Sequence, residues 1–203
     1  MLFDVGANVG QTTLSFIEMF PNANIYSFEP CTATFRELVK AVARHQYVKP
    51  INLALGPENT TKKLITNKSS VMNSFLEEKI GWGKVEGSEM VNMVTLDSFA
   101  ADNTIEHVDV LKIDAQGYDL EVLKGGMKLI RENRVRLVFI EINFVEFYSN
   151  QANFEDVYVF LRNAGFKLTG IYEANYQHTS HIWFTNALFI NPAFAQDQTQ
   201  LRM

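Results

Sequence analysis

Four acidic side chains stand at the ends of apolar stretches, and their chemistry suggests a common site. Asp4, Asp114 and Glu141 each end a strongly hydrophobic run, and Glu29 ends an alternating one. A carboxylate can accept hydrogen bonds from ligand hydroxyls, act as a general base or ligate a hard divalent cation. Charged groups on buried strands are rare without a partner. We therefore expect these four acids to converge on one functional edge of the fold.

The first of these acids opens a glycine-rich turn over residues 4–10, which read DVGANVG. An apolar run precedes the turn, and residues 12–20 follow it with apolar side chains at nearly helical spacing. A strand, a tight turn and a helix N-terminus present backbone N–H groups and a positive dipole end to a ligand. Gly6 and Gly10 are expected to keep side chains out of the ligand's approach, and Asn8 tolerates a left-handed backbone.

The spacing of this turn argues against a dinucleotide ligand. A dinucleotide fingerprint has glycines at the first, third and sixth positions of the turn. Counted from Gly6, these positions hold Gly6, Asn8 and Gln11. A dinucleotide-dependent oxidoreductase is therefore a less favoured interpretation, and an ordinary strand-to-helix turn is a further alternative.

Glu29 occupies a position typical of an acid that binds ribose. It follows Gly10 by nineteen residues and ends a predicted strand over residues 24–28, directly before Pro30. A nucleotide-binding fold places an acid at about this distance against the ribose hydroxyls. Because a carboxylate accepts from both hydroxyls at once, we expect Glu29 to bind a ribose.

Composition limits the class of protein. The chain has 203 residues, 47% of them hydrophobic, which suits a single domain over residues 1–190 and a polar tail over 191–203. A net charge of −5 without a basic stripe argues against nucleic-acid binding. The single cysteine, Cys31, excludes an internal disulfide and suits a reducing, cytoplasmic compartment. We expect no membrane partner, because no apolar window has the length of a membrane-spanning helix and no signal peptide precedes the turn.

Strand and helix patterns alternate along the chain, which is typical of an α/β fold. Further strands are predicted over residues 51–55, 90–96, 108–114, 135–142, 166–172 and 182–190. Helices are predicted over residues 12–20, 32–42, 118–123 and 154–164. A further short helix is predicted to end at Phe99, with Thr95 or Asp97 as its N-cap. The last two strands have no long helix between them and are expected to pair antiparallel.

The stretch 57–90 is polar and broken by glycines, which predicts an irregular insertion that carries substrate loops. Trp82 lies between two glycines in this stretch. It is expected to be either a mobile lid or an anchor of the loop.

A longer motif makes the pattern specific. Residues 111–125 read LKIDAQGYDLEVLKG, and with residues 4–10, Glu29-Pro30, residues 95–98 and Glu141 they resemble the FkbM family of methyltransferases. The similarity spans roughly residues 2–190. It implies a Rossmann-like class I methyltransferase fold with a mostly parallel central sheet, an antiparallel last strand and helices on both faces. It also implies S-adenosylmethionine as methyl donor and O-methylation of a sugar, glycan or polyketide-like small molecule.

The resemblance and the strand ends together indicate the site. The predicted cofactor-binding residues are Asp4, Gly6, Ala7, Asn8, Gly10, Glu29, Pro30, Asn52, Ala54 and Asp114. The predicted catalytic residues are Asp114 and Glu141. Asp114 is either a base or an anchor for the cofactor's amino group, and both acids are alternatively ligands of a divalent cation, although no metal site is assigned. Lys112 is expected to neutralise one of the acids, and His178 and His181 either reach the acceptor or lie at the surface.

Two features depart from the family pattern. The family generally has Val-Glu-Gly after the aspartate, whereas this chain has Ala115-Gln116-Gly117. An amide can form hydrogen bonds but cannot act as a base. A helix usually precedes the first strand in this class, so the chain is expected to be naturally short or a fragment. The alternative to an active enzyme is therefore a non-catalytic or decayed cofactor-binding module.

Overall fold

The computed structural model describes residues 1–177 and 180–194 of the protein. Its strands are β1 Leu2–Val5, β2 Ile25–Phe28, β3 Val48–Ile51, β4 Ala54–Leu55, β5 Thr60–Asn67, β6 Val85–Val94, β7 Val108–Ile113, β8 Val135–Asn143, β9 Lys167–Asn175 and β10 Phe184–Ile190. Its α-helices are α1 Gln11–Met19, α2 Thr32–Val42, α3 Leu96–Asp102, α4 Asp119–Gly125, α5 Met127–Arg131 and α6 Phe154–Asn163.

The main sheet has the strand order β3-β2-β1-β7-β8-β10-β9. Neighbouring strands are parallel except at β10, which runs antiparallel to both β8 and β9. The predicted Rossmann-like α/β class with an antiparallel last strand is therefore confirmed. The strand order reverses between β1 and β7, and ligands of open α/β sheets bind at the carboxyl ends beside such a point.

Helices cover both faces of this sheet. On one face, α1 and α2 pack through Phe16, Leu38 and Val42 against Leu2 and Ile25. On the other face, α3 to α6 bury a larger core, to which the helices contribute Phe99, Val122, Leu123, Leu129, Ile130, Val157 and Leu161. The two layers hold the carboxyl ends of β1, β2, β7 and β8 side by side.

A second sheet lies where the sequence predicts an irregular insertion. Its order is β4-β6-β5, with β6 antiparallel to β5 and parallel to β4. The strand β5 is hidden in the sequence because its exposed positions are polar, and only Leu64 and Asn67 are buried along it. The single strand predicted over residues 51–55 is also wrong, since β3 ends at Ile51 in one sheet and β4 begins at Ala54 in the other.

The helix predicted to stop at Gly125-Gly126 is α4, and it is followed directly by α5, which the sequence pattern does not reveal. A Cβ atom on Gly125 would lie 2.0 Å from the carbonyl oxygen of Gly56. The glycine therefore lets α4 pass close to the chain after β4, and α4 ends at this residue, as the sequence predicts.

The start of α3 follows one of the two predicted caps. Thr95 accepts a hydrogen bond from the Ser98 N–H at 3.0 Å. Asp97 instead accepts from the N–H groups of Lys128 and Leu129, both at 2.9 Å, and so caps α5. One pair of residues thereby fixes the relative position of two helices.

No helix within residues 1–177 and 180–194 is long and apolar enough to cross a membrane. Of the predicted polar tail, Pro192–Phe194 form a 3₁₀ turn and residues 195–203 lie outside the described residues. The division into one domain and a tail stays a prediction.

Candidate active site

A cavity of about 270 Å³ opens at the carboxyl ends of β1, β2 and β7, where the strand order reverses. Seven of the predicted site residues line it: Gly6, Ala7, Asn8, Glu29, Pro30, Ala54 and Asp114. The other predicted residues, Asp4, Gly10, Asn52 and Glu141, are not part of its lining. The fold therefore brings together most of the residues that the motifs indicate.

The backbone of the glycine turn forms its hydrogen bonds within the protein. The N–H groups of Gly6 and Ala7 donate to the Phe28 carbonyl at 3.1 and 2.9 Å, and Gly10 N–H donates to the Ala7 carbonyl at 2.8 Å. Asn8 N–H donates to Glu29 Oε2 at 3.0 Å. The expected array of N–H groups turned toward a ligand is thus not present over this turn, and a pyrophosphate would find these donors already engaged.

The two glycines of the turn face protein atoms. Gly6 has φ +73°, and a Cβ atom there would lie 1.9 Å from the Asp114 carbonyl oxygen. Gly10 has φ +101°, and its Cβ atom would approach Leu38 of α2 at 3.1 Å. Both glycines therefore permit close packing of the turn, and their expected role in ligand access stays a prediction.

Glu29 is buried, and its carboxylate is held from two sides. Its Oε2 accepts from Asn8 N–H at 3.0 Å and its Oε1 accepts from Cys31 N–H at 2.9 Å. Burial raises the pKa of Glu29 to about 7, although the two backbone hydrogen bonds and the charge of Lys112 oppose this shift. Asn52 donates to the backbone carbonyls of Glu29 and Pro30, both at 2.9 Å, so this exposed residue supports the corner behind the cavity.

Asp4 lies beneath the cavity and is fully buried. Its Oδ2 accepts from the Thr13 hydroxyl at 2.6 Å, and the Thr13 hydroxyl also lies 2.8 Å from that of Ser27. Its Oδ1 lies 3.0 Å from Lys112 Nζ, so the expected ion pair of Lys112 is present. Asp4 therefore links β1 to α1 and β7 directly, and to β2 through Thr13. Removing either Asp4 or Lys112 would leave the charge of the other buried and uncompensated.

Asp114 follows β7 and is partly exposed, with its side chain 36% accessible. Its Oδ1 accepts from Gln116 Nε2 at 2.7 Å, and its Oδ2 lies 3.9 Å from Lys112 Nζ. Gln116 Oε1 in turn accepts from the Tyr148 hydroxyl at 2.9 Å. Tyr148 is buried, and no motif in the sequence indicates its place beside the site.

Two more acids lie close to Asp114. Removal from water raises the pKa of Glu141 well above its usual range, and the charges of Asp114 and Asp119 add to the shift. Burial likewise raises the pKa of Asp119 to about 7. Asp119 accepts from the N–H groups of Ala115 and Gly117 at 2.9 and 3.0 Å and so shapes the loop after Asp114. Across residues 1–177 and 180–194, no group of three or more His, Cys, Asp or Glu side chains is arranged to hold a metal ion.

One wall of the cavity comes from the insertion, where the sequence predicts substrate loops but no motif singles out the lining residues. Residues 70–75 contribute Ser70, Val71, Asn73, Ser74 and Phe75 to the lining. The Ser70 hydroxyl donates to Asn8 Oδ1 at 3.1 Å, and the Ser74 hydroxyl donates to the Gln116 carbonyl at 2.7 Å. These two contacts join the wall to both turns of the site.

Trp82 is packed as an anchor of its loop. Its ring stacks on Trp183 with centroids 5.2 Å apart and also contacts Phe147 at 5.5 Å. Its backbone N–H donates to Glu78 Oε1 at 3.0 Å. Of the two histidines considered, His181 stacks on Trp183 and does not line the cavity, and His178 lies outside the described residues.

Residues 4–168 match the family described as the methyltransferase FkbM domain. The matched range contains the glycine turn, Glu29, Asp114 and Glu141. The chain belongs to this family. The resemblance seen in the motifs is therefore confirmed, and membership supports S-adenosylmethionine as the cofactor, as the sequence predicts.

Curated relatives match at low identity. The hexuronic acid methyltransferase AglP of Haloferax volcanii is 29% identical over 144 residues, which are 70% of this chain and 56% of that protein. The 2-O-methyltransferase NoeI of Sinorhizobium fredii is 21% identical over 164 residues, which are 74% of this chain and 66% of that protein. The chain thus spans between about half and two thirds of the length of these relatives.

Solved structures share the fold at still lower identity. TrmK of M. capricolum, in complex with S-adenosyl-homocysteine, gives a TM-score of 0.54 at 10% identity, covering 94% of this chain and 61% of that chain. The magnesium protoporphyrin IX methyltransferase of Synechocystis, with bound SAM, gives 0.51 at 10% identity, covering 94% and 69%. These likenesses establish the class I methyltransferase fold.

Proposed function

We propose that this protein transfers the methyl group of S-adenosylmethionine to a hydroxyl of a sugar, glycan or polyketide-like small molecule. The observation that carries the proposal is the position of Asp114. Its partly exposed carboxylate lines the cavity that also contains the glycine turn and Glu29. A base and a nucleoside-binding acid therefore face one space at the switch point of the sheet.

The lining of the cavity fits the parts of S-adenosylmethionine. Glu29 offers a fixed carboxylate to the two ribose hydroxyls, each of which is a donor. Phe28, Leu55 and Phe75 offer apolar surface to the adenine ring. The backbone N–H groups of the turn already donate to protein carbonyls, so they favour a ligand without a pyrophosphate and disfavour a dinucleotide.

When bound, S-adenosylmethionine supplies a methyl group on a sulfonium, which is a good leaving group. The protein must then align the acceptor hydroxyl and remove its proton. We assign this role to Asp114 Oδ2, because Oδ1 is engaged by Gln116 and Oδ2 lies 3.9 Å from the nearest cation, Lys112. Lys112 stays paired with Asp4 and places a positive charge 3.9 Å from Asp114 Oδ2. Glu141, with its raised pKa, is the second candidate for holding this proton.

The names of two relatives support this acceptor class, one through a sugar acid and the other through an oxygen position. One acts on a hexuronic acid and the other at a 2-O position. An oxygen acceptor also agrees with the local chemistry, because a hydroxyl needs a base to become nucleophilic near neutral pH.

Two measurements on the whole chain test the proposal. Calorimetry with S-adenosylhomocysteine and with NAD should show binding of the first ligand only. Transfer of a radiolabelled methyl group should then label at least one member of a panel of glycans, uronic acids and hydroxylated small molecules. Binding without transfer to any member would favour the decayed cofactor-binding module, and binding of NAD alone would favour the oxidoreductase.

A further inference from the structure

Gln116 connects two groups of the candidate active site. Its Nε2 donates to Asp114 Oδ1 at 2.7 Å, and its Oε1 accepts from the Tyr148 hydroxyl at 2.9 Å. Its own carbonyl accepts from the Ser74 hydroxyl at 2.7 Å. The side chain and the backbone of Gln116 are therefore both held by neighbours from other segments.

The backbone at this position is unusual. Gln116 has φ +49° and the next residue, Gly117, has φ +86°. A non-glycine residue in this left-handed region is uncommon and persists where its surroundings hold it. The contacts of Gln116 with Ser74, Tyr148 and Asp114 are the ones that hold it.

The direction of these hydrogen bonds follows from charge. An ionised carboxylate only accepts, so the amide nitrogen of Gln116 has to face Asp114. The amide oxygen then faces Tyr148, whose hydroxyl must donate. Tyr148 remains a donor because burial and the nearby charges of Glu141 and Asp114 raise the pKa of its phenol. The three groups thus form one chain of donors that ends on Asp114.

Charged groups of both signs surround Asp114. Lys112 Nζ, on the same strand, lies 3.9 Å from its Oδ2, and the acids Asp119 and Glu141 are also near. The Gln116 amide donates to Asp114 at 2.7 Å without adding charge to this group. A carboxylate in place of the Gln116 amide would be a third acid beside Asp114, in addition to Asp119 and Glu141.

We propose that Gln116 is a positioning residue for the base. Its amide donates to Oδ1 of Asp114 and fixes the carboxylate so that Oδ2, the oxygen not bonded to Gln116, faces the acceptor hydroxyl. This inference rests on the proposed methyltransferase function. It also gives the glutamine a role that suits an active enzyme.

Two substitutions at this position and one distant control separate positioning from mere packing. Gln116→Glu places two carboxylates in contact, and they cannot both be ionised. Gln116→Met keeps the size but removes the donor. Gln46→Glu makes the same chemical change at an exposed position just before β3, at the opposite edge of the sheet. All three are compared with the wild type at equal protein concentration.

The first readout needs no acceptor. Protein labelled with ¹³C at the aspartate carboxyl groups is titrated, and the Asp114 signal is identified by its absence in Asp114→Asn. The titration midpoint of this signal should move up by about one pH unit or more in Gln116→Glu, by less in Gln116→Met, and not at all in Gln46→Glu. An unchanged midpoint in both Gln116 variants, or an equal change in Gln46→Glu, would overturn the proposal.

The second readout is methyl transfer against pH with an acceptor from the panel. The acidic limb of the kcat profile should move to higher pH most in Gln116→Glu, less in Gln116→Met and not in Gln46→Glu. The affinity of each variant for S-adenosylhomocysteine should stay within about threefold of the wild-type affinity. A uniform loss of rate without movement of the limb would show a structural role only. Absence of transfer in the wild type would instead count against the proposed function, and the carboxyl titration would still decide the role of Gln116.

Discussion

At the scale of single residues, the proposed function depends on Glu29 and Asp114, which both line the cavity and accept hydrogen bonds from the protein. The sequence predicts both positions from the ends of the strands. Of their partners, it predicts only Lys112, as a cation beside one of the acids. Asn8, Cys31 and Gln116 meet these acids only through the turns of the folded chain. Gln116 engages Oδ1 of Asp114 and leaves Oδ2 without this bond, whereas both oxygens of Glu29 accept from backbone N–H groups.

Glu29→Gln should weaken nucleoside binding and remove its pH dependence. The loss of a charged acceptor should reduce affinity for 5′-methylthioadenosine by about 1.5–3 kcal/mol, or about 10- to 150-fold. The wild-type affinity should rise between pH 6 and 8, because the free site holds a proton up to a pKa of about 7 whereas the ribose hydroxyls favour the ionised acid. This ligand has no amino group that titrates in the same range.

Calorimetry at several pH values measures both effects. Glu18→Gln, at an exposed position near the end of α1, is the matched control and should bind as the wild type does. Equal affinity of Glu29→Gln and the wild type at pH 8 would remove Glu29 from the site.

Asp114→Asn should impair the chemical step. It keeps the size of the side chain and removes its basicity, so turnover should fall by about 10²- to 10⁴-fold with little loss of cofactor affinity. Asp102→Asn, exposed at the end of α3, should leave the rate unchanged. If the rate of Asp114→Asn recovers at saturating cofactor, Asp114 anchors the cofactor's amino group; if a chelator inhibits the wild type equally, it ligates a metal.

At the scale of elements, the turn between β1 and α1 has a packing role that its motif does not reveal. The motif predicts the strand, the turn and the helix, and all three are present. It predicts ligand access at Gly6, and the structure adds that the missing side chain makes room for the carbonyl after β7. A pattern within one segment cannot reveal a close approach by a segment more than a hundred residues away.

Gly6→Ala should therefore destabilise the fold more than a left-handed backbone alone requires. Gly81→Ala is the matched control, because Gly81 has φ +76° and nothing within 4 Å of its Cβ position, whereas Gly6 has φ +73° and a carbonyl at 1.9 Å. The control should cost about 1–2 kcal/mol for the backbone, and Gly6→Ala should cost clearly more. Urea unfolding of both variants measures the difference, and equal losses would show that the carbonyl contact is unimportant.

Strands with apolar alternation were the elements best predicted from sequence, and polar strands were the worst. Strand β8 and the antiparallel pair β9 and β10 lie within a few residues of their predicted bounds. Strand β5 and the wall at residues 70–75 are polar, and their structure depends on pairing with β6 and on contacts with the two turns. Their part in the site was therefore visible only after folding.

At the scale of the whole molecule, the site concentrates acids that are removed from water. The pKa of Glu29 and that of Asp119 are raised to about 7, and that of Glu141 is raised as well. A group whose pKa is raised by folding stabilises the fold below its unfolded pKa, and this contribution disappears as the pH rises through the folded value. The burial of these acids at the candidate active site therefore lowers the free energy of unfolding near neutral pH.

The free energy of unfolding without ligand should accordingly fall as the pH rises from about 4.5 to 7. The loss from Glu29 alone should be on the order of 3 kcal/mol, from a shift of 4.5 to about 7. Urea unfolding at pH 5, 6, 7 and 8 should show the decline in the wild type and a shallower one in Glu29→Gln. A free energy of unfolding that rises across this range would contradict the burial of these charges.

The proposed function requires that one cavity holds the methyl donor with its ribose at Glu29 and its sulfur beside Asp114. A crystal structure of the protein with S-adenosylhomocysteine would locate both groups. Both ribose hydroxyls should lie within hydrogen-bond distance of the Glu29 carboxylate, and open space for an acceptor should lie between the sulfur and Asp114 Oδ2. A ligand bound elsewhere, or one whose sulfur lies away from Asp114, would contradict it.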